Sequence, residues 1–473
     1  MKADLWAGMP EGSGYRFEPL QRRGLLLGLS GGQVAVVAVA VVVAFSAVTT
    51  WPGVGGFVAA TGALGLAVAA CRPLAGRSPL QWASVVPAFA LRRRRVVTAP
   101  PGSSSQRGGL RLPARTFAPG AYLDQLPAAA GQGPMGVVVD ERAGTGAAIL
   151  RAGGTSFCLL DEPGKERKLA AWAAVLESVS SHQSSLVRLQ WCQRALPASS
   201  DPLRVYLGIA GDHSSPGYRG YAALLESAGV GAWRHEILLV VAVRCPVRRH
   251  RLVPQGGETL RNEVRALRAQ LHSVGIGCDG VLDAQGVAGA LGGFVVPYLA
   301  QHPAAHPWPL AIEESWSALH ADGYWHRTYW VAEWPRSRVG PDFLSPLLVG
   351  RGSRSFSVVM APVPPDRAVR DAESSRTAQV ADAQLRAQGG FLETAQQRRK
   401  AEAIEGREAQ LADGRGAFQL AGYVSVSAGA KAELDQACSE LERAAGAARL
   451  CLRVLYGQQK DALTWSLPFG RGL

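Results

Sequence analysis

The sequence predicts a membrane-anchored α+β protein: an N-terminal two-helix transmembrane hairpin followed by tandem antiparallel α+β sandwich units. Three observations lead there. Two long uncharged runs near the N-terminus are separated by a Pro-Gly turn and flanked by arginines. The positive charge of the chain is concentrated beside those runs. From residue 121 onward, strand-like and helix-like patterns alternate with short turns between them.

The hairpin comes first. From Leu25 to Val48, twenty-four residues carry no ionisable side chain, and about twenty apolar residues are enough to cross a hydrocarbon core. The run ends at TTWPG (Thr49 to Gly53), where Trp suits the interface and Pro-Gly suits a turn. A second uncharged run, Val54 to Cys71, stops at Arg72. Arg22 and Arg23 precede the first run; Arg72, Arg77, Arg92, Arg93, Arg94 and Arg95 follow the second. Short basic flanks stay on the cytoplasmic side, so a two-span protein of the cell membrane is predicted, with both termini and the bulk cytoplasmic.

SPLQWASVVPAFAL (Ser78 to Leu91) is too short to span and reads as an interfacial segment. Its trailing arginines would meet anionic headgroups at about 1 kcal/mol each. The glycines Gly28, Gly31, Gly32, Gly53, Gly55 and Gly56 permit close helix packing. QRRGLLLGL resembles a twin-arginine export signal, and VAAC before Arg72 a lipoprotein cleavage site. An export signal has an apolar core of about 7–15 residues, whereas this one is longer and doubled. The predicted plan is a cytosolic tail 1–20, the hairpin with its interfacial segment 21–97, and a Pro/Gly/Ser-rich linker 98–120. A first α+β unit, 121–308, and a second, 309–473, follow, the second including a helical arm 366–413.

Charge supports a membrane role over nucleic acid. The net charge is +13. Residues 1–120 hold thirteen Lys or Arg against three acids, and the remaining chain holds 37 against 34. A nucleic-acid-binding body needs its own basic face, so direct nucleic-acid binding is not expected. The seven cysteines (Cys71, Cys158, Cys192, Cys245, Cys278, Cys438, Cys451) are scattered, with no CxxC pair. They read as reduced thiols in a cytosolic compartment.

In the body, MGVVVDERAGTGAAILRAGGTSFCLL predicts two or three strands, EPGKERKLAAWAAVLESVSSH a helix, and LVRLQWCQRAL a strand. A helix around Tyr221 to Ser227 leads to the strand RHEILLVVAVRC (Arg234 to Cys245). Leu260, Val264, Leu267 and Leu271 recur at helical spacing, and a short strand near Gly280 to Leu282 follows. The second unit opens near Pro309 and contains the aromatic strand YWHRTYWVAEWP and the strand SRSFSVVMAPVPP, with PDFLSPLLVG as a short helix or turn between them. A charged helical arm broken at Gly389-Gly390 precedes the alternating strand AFQLAGYVSVSA. A final helix, AELDQACSELERAAGAARL, and the strand LCLRVLYG complete the unit.

Catalytic motifs are sparse. PGKER (Pro163 to Arg167) has the Gly-Lys of a P-loop but neither its leading glycine nor its hydroxyl. The best metal candidates are His302, His306, Glu313, His320 and His326, but His302 and His306 flank prolines, which argues against a helical i, i+4 pair. No cofactor is expected, and the protein reads as a non-enzyme. Trp308, Trp316, Trp325, Trp330 and Trp334 cluster with few basic neighbours, which favours a packed aromatic core over a base-stacking platform.

The hairpin with basic flanks resembles the PrgI-type small membrane subunit of Gram-positive conjugation systems. HRTYWVAEWPR, PDFLSPLL, FSVVMAPVPPDRAVRDAE, FQLAGYVSVSA and LYGQQKDALTWSLPFG resemble actinobacterial membrane proteins of type IV secretion-like gene clusters. The soluble part of those proteins is similar to the N-terminal, non-catalytic region of conjugation ATPases. The resemblance runs from about Tyr15 to Leu473, where the nucleotide-binding domain of the ATPases would begin. It implies an adaptor, oligomeric with sister secretion subunits, working beside a separately encoded P-loop ATPase. A type VII secretion subunit of the EccE kind and a membrane-anchored metal-dependent enzyme are rival readings, and direct single-strand DNA binding by the body, disfavoured by its near-neutral charge, is a third.

Overall fold

The computed structural model describes residues 31–51, 53–72, 77–92, 97–98, 117–129, 133–153, 157–180, 184–197, 206–209, 211–212, 214–228, 233–248, 251–297, 309, 311–350, 352–388, 394–412 and 414–473. Two apolar helices, α1 (Gly31–Thr50) and α2 (Val54–Cys71), pack on each other. Their seam is built from small residues: Ala44 of α1 and Gly56, Ala60 and Ala67 of α2 are buried there. A Cβ on Gly56 would stand 2.6 Å from the Ala47 carbonyl oxygen, so this glycine sets how closely the helices approach. Val42, Phe45, Phe57 and Leu66 point outward and are exposed. Within α1, Gly32–Thr50 is long and apolar enough to cross a membrane by length and composition. The apolar stretch of α2, Val54–Ala70, is shorter, about 26 Å of helix against about 30 Å of hydrocarbon. The start of the expected first span, residues 25–30, lies outside the described residues.

Helix α3 (Pro79–Arg92) and the two-residue strand β1 (Val97–Thr98) lead to the α+β body. Among the described residues, one thirteen-stranded sheet runs through that body. Its strands are β1, β2 (Ala121–Leu126), β3 (Met135–Asp140), β4 (Thr145–Ala152), β5 (Leu186–Pro197), β6 (Trp233–Arg244) and β9 (Cys278–Val281). They continue with β10 (Ala311–Glu314), β11 (Leu319–Ala321), β12 (Tyr324–Glu333), β13 (Arg354–Val363), β14 (Ala417–Ala428) and β15 (Cys451–Val454). The minor hairpin β7 (Val247–Arg248) and β8 (Arg251–Leu252) stands apart.

The sheet has a seam at its middle, where β5 pairs antiparallel with β13. Outward from it the order is β5-β6-β4-β3-β2 on one side and β13-β14-β12-β11-β10-β1 on the other. β9 adds to β4 and β15 to β12, each with a register shift. With β1 set aside, both sides repeat one strand order. Apart from β1, the expected boundary at residue 309 falls in sequence between these two sets of strands, but it does not divide the sheet. Pairing β5 with β13 covers two strand edges that would otherwise be open.

Helices cover both faces. On one face, α4 (Glu162–Val179) and α6 (Pro254–Ser273) pack Val175, Val179, Leu260, Val264, Leu267 and Leu271 on Val137, Val139, Leu189, Leu239 and Val241. The same face continues across the seam through Trp191 and Val358, which are register partners. There α8 (Ser345–Leu348) and α11 (Lys431–Ala447) cover Tyr329, Val331, Val424 and Val426. On the opposite face, α7 (Ala284–Val295) and α12 (Gln459–Ser466) bury Val138, Ile149, Leu238, Val240 and Tyr423. Strand alternation assigns the two sets: Leu238 and Val240 face one way, Leu239 and Val241 the other. Asp161 and Asp283 cap α4 and α7 by accepting from Gly164 N (3.0 Å) and Gly286 N (2.7 Å).

The two insertions between paired strands differ in size. Between β5 and β6 lies α5 (Pro216–Ala228); between β13 and β14 lies the arm, α9 (Pro365–Gln388) and α10 (Ala395–Ala412). Ala368, Ala372 and Ile404 bury the base of the arm, and Arg376 bridges both carboxylate oxygens of Glu408 at 2.8 Å. The expected break at Gly389-Gly390 falls outside the described residues.

Candidate functional site

The junction between the apolar helices and the body is the most distinctive local structure. α3 turns Trp82, Val85 and Phe89 towards the body, at positions i, i+3 and i+7. Trp82 stacks on Trp316 with centroids 5.6 Å apart, and Trp316 stacks on Tyr456 at 6.2 Å. Phe89 meets the Trp316 ring edge-on at 5.1 Å. Trp316 comes from the turn between β10 and β11, and Tyr456 from the turn after β15, so two separate loops make the receptor for one helix. Gly457 completes it. Its φ is +68, and a Cβ there would stand 2.8 Å from the Trp316 ring and 3.1 Å from Val85, so glycine is required both for conformation and for space.

Arg77 locks the near end. Its Nη2 donates to Gln458 Oε1 at 2.7 Å, and its guanidinium lies 5.4 Å from the Trp82 ring centre. Burial, with Arg453 nearby, lowers its pKa from the ordinary arginine value. At the far end β1 pairs with β10, Val97 opposite Ile312 and Thr98 opposite Ala311. The stretch expected to be an interfacial segment is docked on the body.

Among the arginines expected to set topology, Arg72 is exposed just past α2, Arg77 is the half-buried clamp residue, and Arg92 ends α3. Arg22, Arg23, Arg93, Arg94 and Arg95 lie outside the described residues, although only residues 93–96 separate α3 from β1.

A second feature is a buried polar row on the sheet face beneath α7 and α12. Arg194 donates from Nε to Glu236 Oε2 (2.6 Å) and from Nη1 to the Ala290 carbonyl at 2.8 Å. Arg151 Nε donates to the other oxygen, Glu236 Oε1, at 2.9 Å. Burial alone would raise the Glu236 pKa, but Arg194 and Arg151 outweigh it and hold the carboxyl below its ordinary value. Gln190 bridges the seam: its Nε2 donates to Ser357 Oγ (2.7 Å) and the Leu467 carbonyl (2.9 Å), and its Oε1 accepts from Gly470 N (2.7 Å). Beside it, burial pushes the Cys192 thiol up to about 12, which keeps it protonated. Gln459 accepts from Thr328 N at 2.8 Å and donates to the Leu455 carbonyl at 3.0 Å. The row directs its hydrogen bonds to itself and to backbone, which orients strands and helices.

The residues singled out as metal candidates do not converge. His320 stacks on Trp325 at 4.6 Å, with Glu313 as its register partner across β10–β11. His326 is fully buried and shares a 2.8 Å hydrogen bond with Ser427 Oγ. His302 and His306 lie outside the described residues. Among the described residues, no group of three or more His, Cys, Asp or Glu is placed to hold a metal ion. The tryptophans divide as well. Trp316 belongs to the α3 clamp, Trp325 sits under Lys431 (5.6 Å), and Trp330 and Trp334 pack at the edges of two core clusters. Trp308 lies outside the described residues.

Tyr456, Gly457 and Gln458, the other half of the clamp, were not visible as a site in the sequence. Their only local signal is a glycine after a strand. No protein-family model matches the chain, and no curated protein matches it either.

Proposed function

We propose that this protein is a non-enzymatic structural adaptor in the cell membrane, part of a type IV secretion or conjugation-like apparatus. In this reading α1 and α2 form a two-span hairpin, with both termini and the bulk of the chain on the cytoplasmic side. The body consists of two tandem α+β units fused edge to edge. It presents its surfaces to a separately encoded P-loop ATPase and to sister subunits, and ATP-driven transport is the work of those partners. The arginines at 22, 23, 72, 77 and 92–95 set topology, and all but the clamped Arg77 meet lipid headgroups.

The observation that carries the reading is the aromatic clamp on α3. A body stacked rigidly onto the helix that follows an apolar helix pair suits a platform held at a fixed orientation to a membrane. Two further points support it. The basic excess lies in residues 1–120 while the body is close to neutral, and the resemblance to secretion-cluster membrane proteins spans both parts.

The test is mild solubilisation of the tagged protein from its native membranes, followed by mass spectrometry of what accompanies it. Co-purification of a conjugation-type P-loop ATPase is the expected result. Type VII secretion subunits in its place, or a solitary protein, would overturn the assignment.

A further inference from the structure

From Ser78 to Leu91 there is no ionisable side chain, and within that stretch α3 carries only Gln81 and Ser84 as polar side chains. A predominantly apolar helix needs its apolar side chains covered, yet the body covers only one face. Trp82, Val85 and Phe89 face the clamp. On the opposite side Ala83, Val86, Pro87, Ala90 and Leu91 are exposed, Leu91 to 78% and Val86 to 48%.

We propose that the outward face of α3 lies in the headgroup–acyl boundary of the leaflet from which α1 and α2 extend. α3 is then a layer between lipid and protein: the bilayer covers one side, the aromatic clamp the other. The proposal rests on the membrane reading of α1 and α2.

Three observations select lipid as the occupant. The first is continuity. α2 touches α3, and both helices expose apolar side chains, Leu66 to 75% and Val68 to 57% on α2. The second is charge. The exposed Arg72 precedes the apolar face, while Arg92 and the next three arginines in sequence follow it. Cations bracketing a short apolar helix complement an anionic leaflet. The third is composition. Ala83, Pro87 and Ala90 offer no large anchor of the kind that dominates protein interfaces, whereas a fluid acyl boundary needs none.

The geometry also gives the arrangement a consequence. Because α3 is stacked on Trp316 and Tyr456 and followed within a few residues by β1, lipid contact at α3 fixes the orientation of the whole sheet to the membrane. A flexible tether would leave that orientation free.

The test uses the full chain in native membranes with p-benzoylphenylalanine introduced at one site at a time. Leu91→p-benzoylphenylalanine and Ala83→p-benzoylphenylalanine probe the outward face. Val42→p-benzoylphenylalanine probes α1, and Ser439→p-benzoylphenylalanine on α11 is the aqueous control. Two outward sites are used so that a local distortion at one does not decide the outcome. After irradiation, the expected result is a mass gain of one phospholipid at 91, 83 and 42, and none at 439. Lipid at 42 with a second copy of the chain, another protein or no adduct at 91 and 83 overturns the proposal and leaves the membrane reading standing. No lipid at 42 overturns the membrane reading itself. Lipid at 439 to the same extent as at 91 also overturns the proposal, since the labelling would then be indiscriminate.

Discussion

His326 is the residue whose environment makes the sharpest prediction. It is fully buried in β12, where its Nδ1 shares a hydrogen bond with Ser427 Oγ. Burial, and then the charge of nearby His320, outweigh a hydrogen bond to the Val295 backbone and push its pKa down from 6.5 to about 3. The folded protein therefore refuses a proton that the unfolded chain accepts. Stability in this term is complete above about pH 6.5 and is lost as pH falls, by up to about 1.4 kcal/mol per pH unit until the folded pKa is reached. His235, lowered by burial and by Arg354, adds with the same sign. Glu236 acts in a lower window, since its ordinary value is 4.5 and its folded value lies below that. Between pH 6.5 and 5, denaturant unfolding of the detergent-solubilised chain is thus expected to weaken more than that of His326→Gln, the difference reaching about 2 kcal/mol at pH 5. Parallel curves for the two proteins would mean that His326 is protonated in the native state.

Among elements, α3 is the one whose attachment can be removed selectively. Trp316 stacks with Trp82 and Tyr456 and receives the edge of Phe89, while itself remaining 38% exposed. Trp316→Ala removes all three ring contacts, each worth about 0.5–1.5 kcal/mol beyond its buried area. The clamp is expected to open locally while the sheet stays folded. Limited trypsin digestion reads this directly, because Arg92 ends α3 and Arg93 to Arg95 follow it in sequence before β1. Cleavage there is expected to speed up roughly tenfold or more, at one factor of ten per 1.4 kcal/mol of local opening. An unchanged rate would show that the β1–β10 pairing and the Arg77–Gln458 contact hold α3 without the rings. The arm is an element of another kind. α9 runs about 36 Å, buries little beyond its base and carries charges of both signs, so it adds reach to the molecule more than core.

At the scale of the whole molecule, the β5–β13 seam joins the two sets of strands into one cooperative body. One core cluster contains Leu238, Val240 and Ala242 from one side of the seam with Leu463, Leu467 and Phe469 from the other. The last residues reinforce this: Arg471 Nε donates to Asp140 Oδ2 at 2.6 Å, and Arg188 Nη1 donates to the Gly470 carbonyl at 2.9 Å. A core deletion far from the seam should therefore be felt across it. Leu260→Ala, at a fully buried position of α6, is expected to cost about 2–5 kcal/mol. In hydrogen-exchange mass spectrometry, amides of β14 and α11 should then lose protection together with those of β4 and β6. Loss confined to 121–297 would mean that the two sides unfold independently.

Periodicity within a few residues of chain was enough to place much of this protein. Leu260, Val264, Leu267 and Leu271 announced α6 and its buried stripe, and the alternation in AFQLAGYVSVSA announced β14, because an amphipathic pattern needs only one apolar face to be satisfied. Uncharged length marked α1 in the same way, since burial in lipid depends on composition alone. Only the tertiary structure decided the rest. Nothing local in LVRLQWCQRAL or SRSFSVVMAPVPP says that these strands pair with each other across about 160 residues of chain, since strand edges are chemically alike and register is chosen by the surrounding packing. Nor does SPLQWASVVPAFAL announce a docked helix. Its apolar side chains suit lipid and protein equally, and the partners that tip the balance, Trp316 and Tyr456, are brought together from two distant loops.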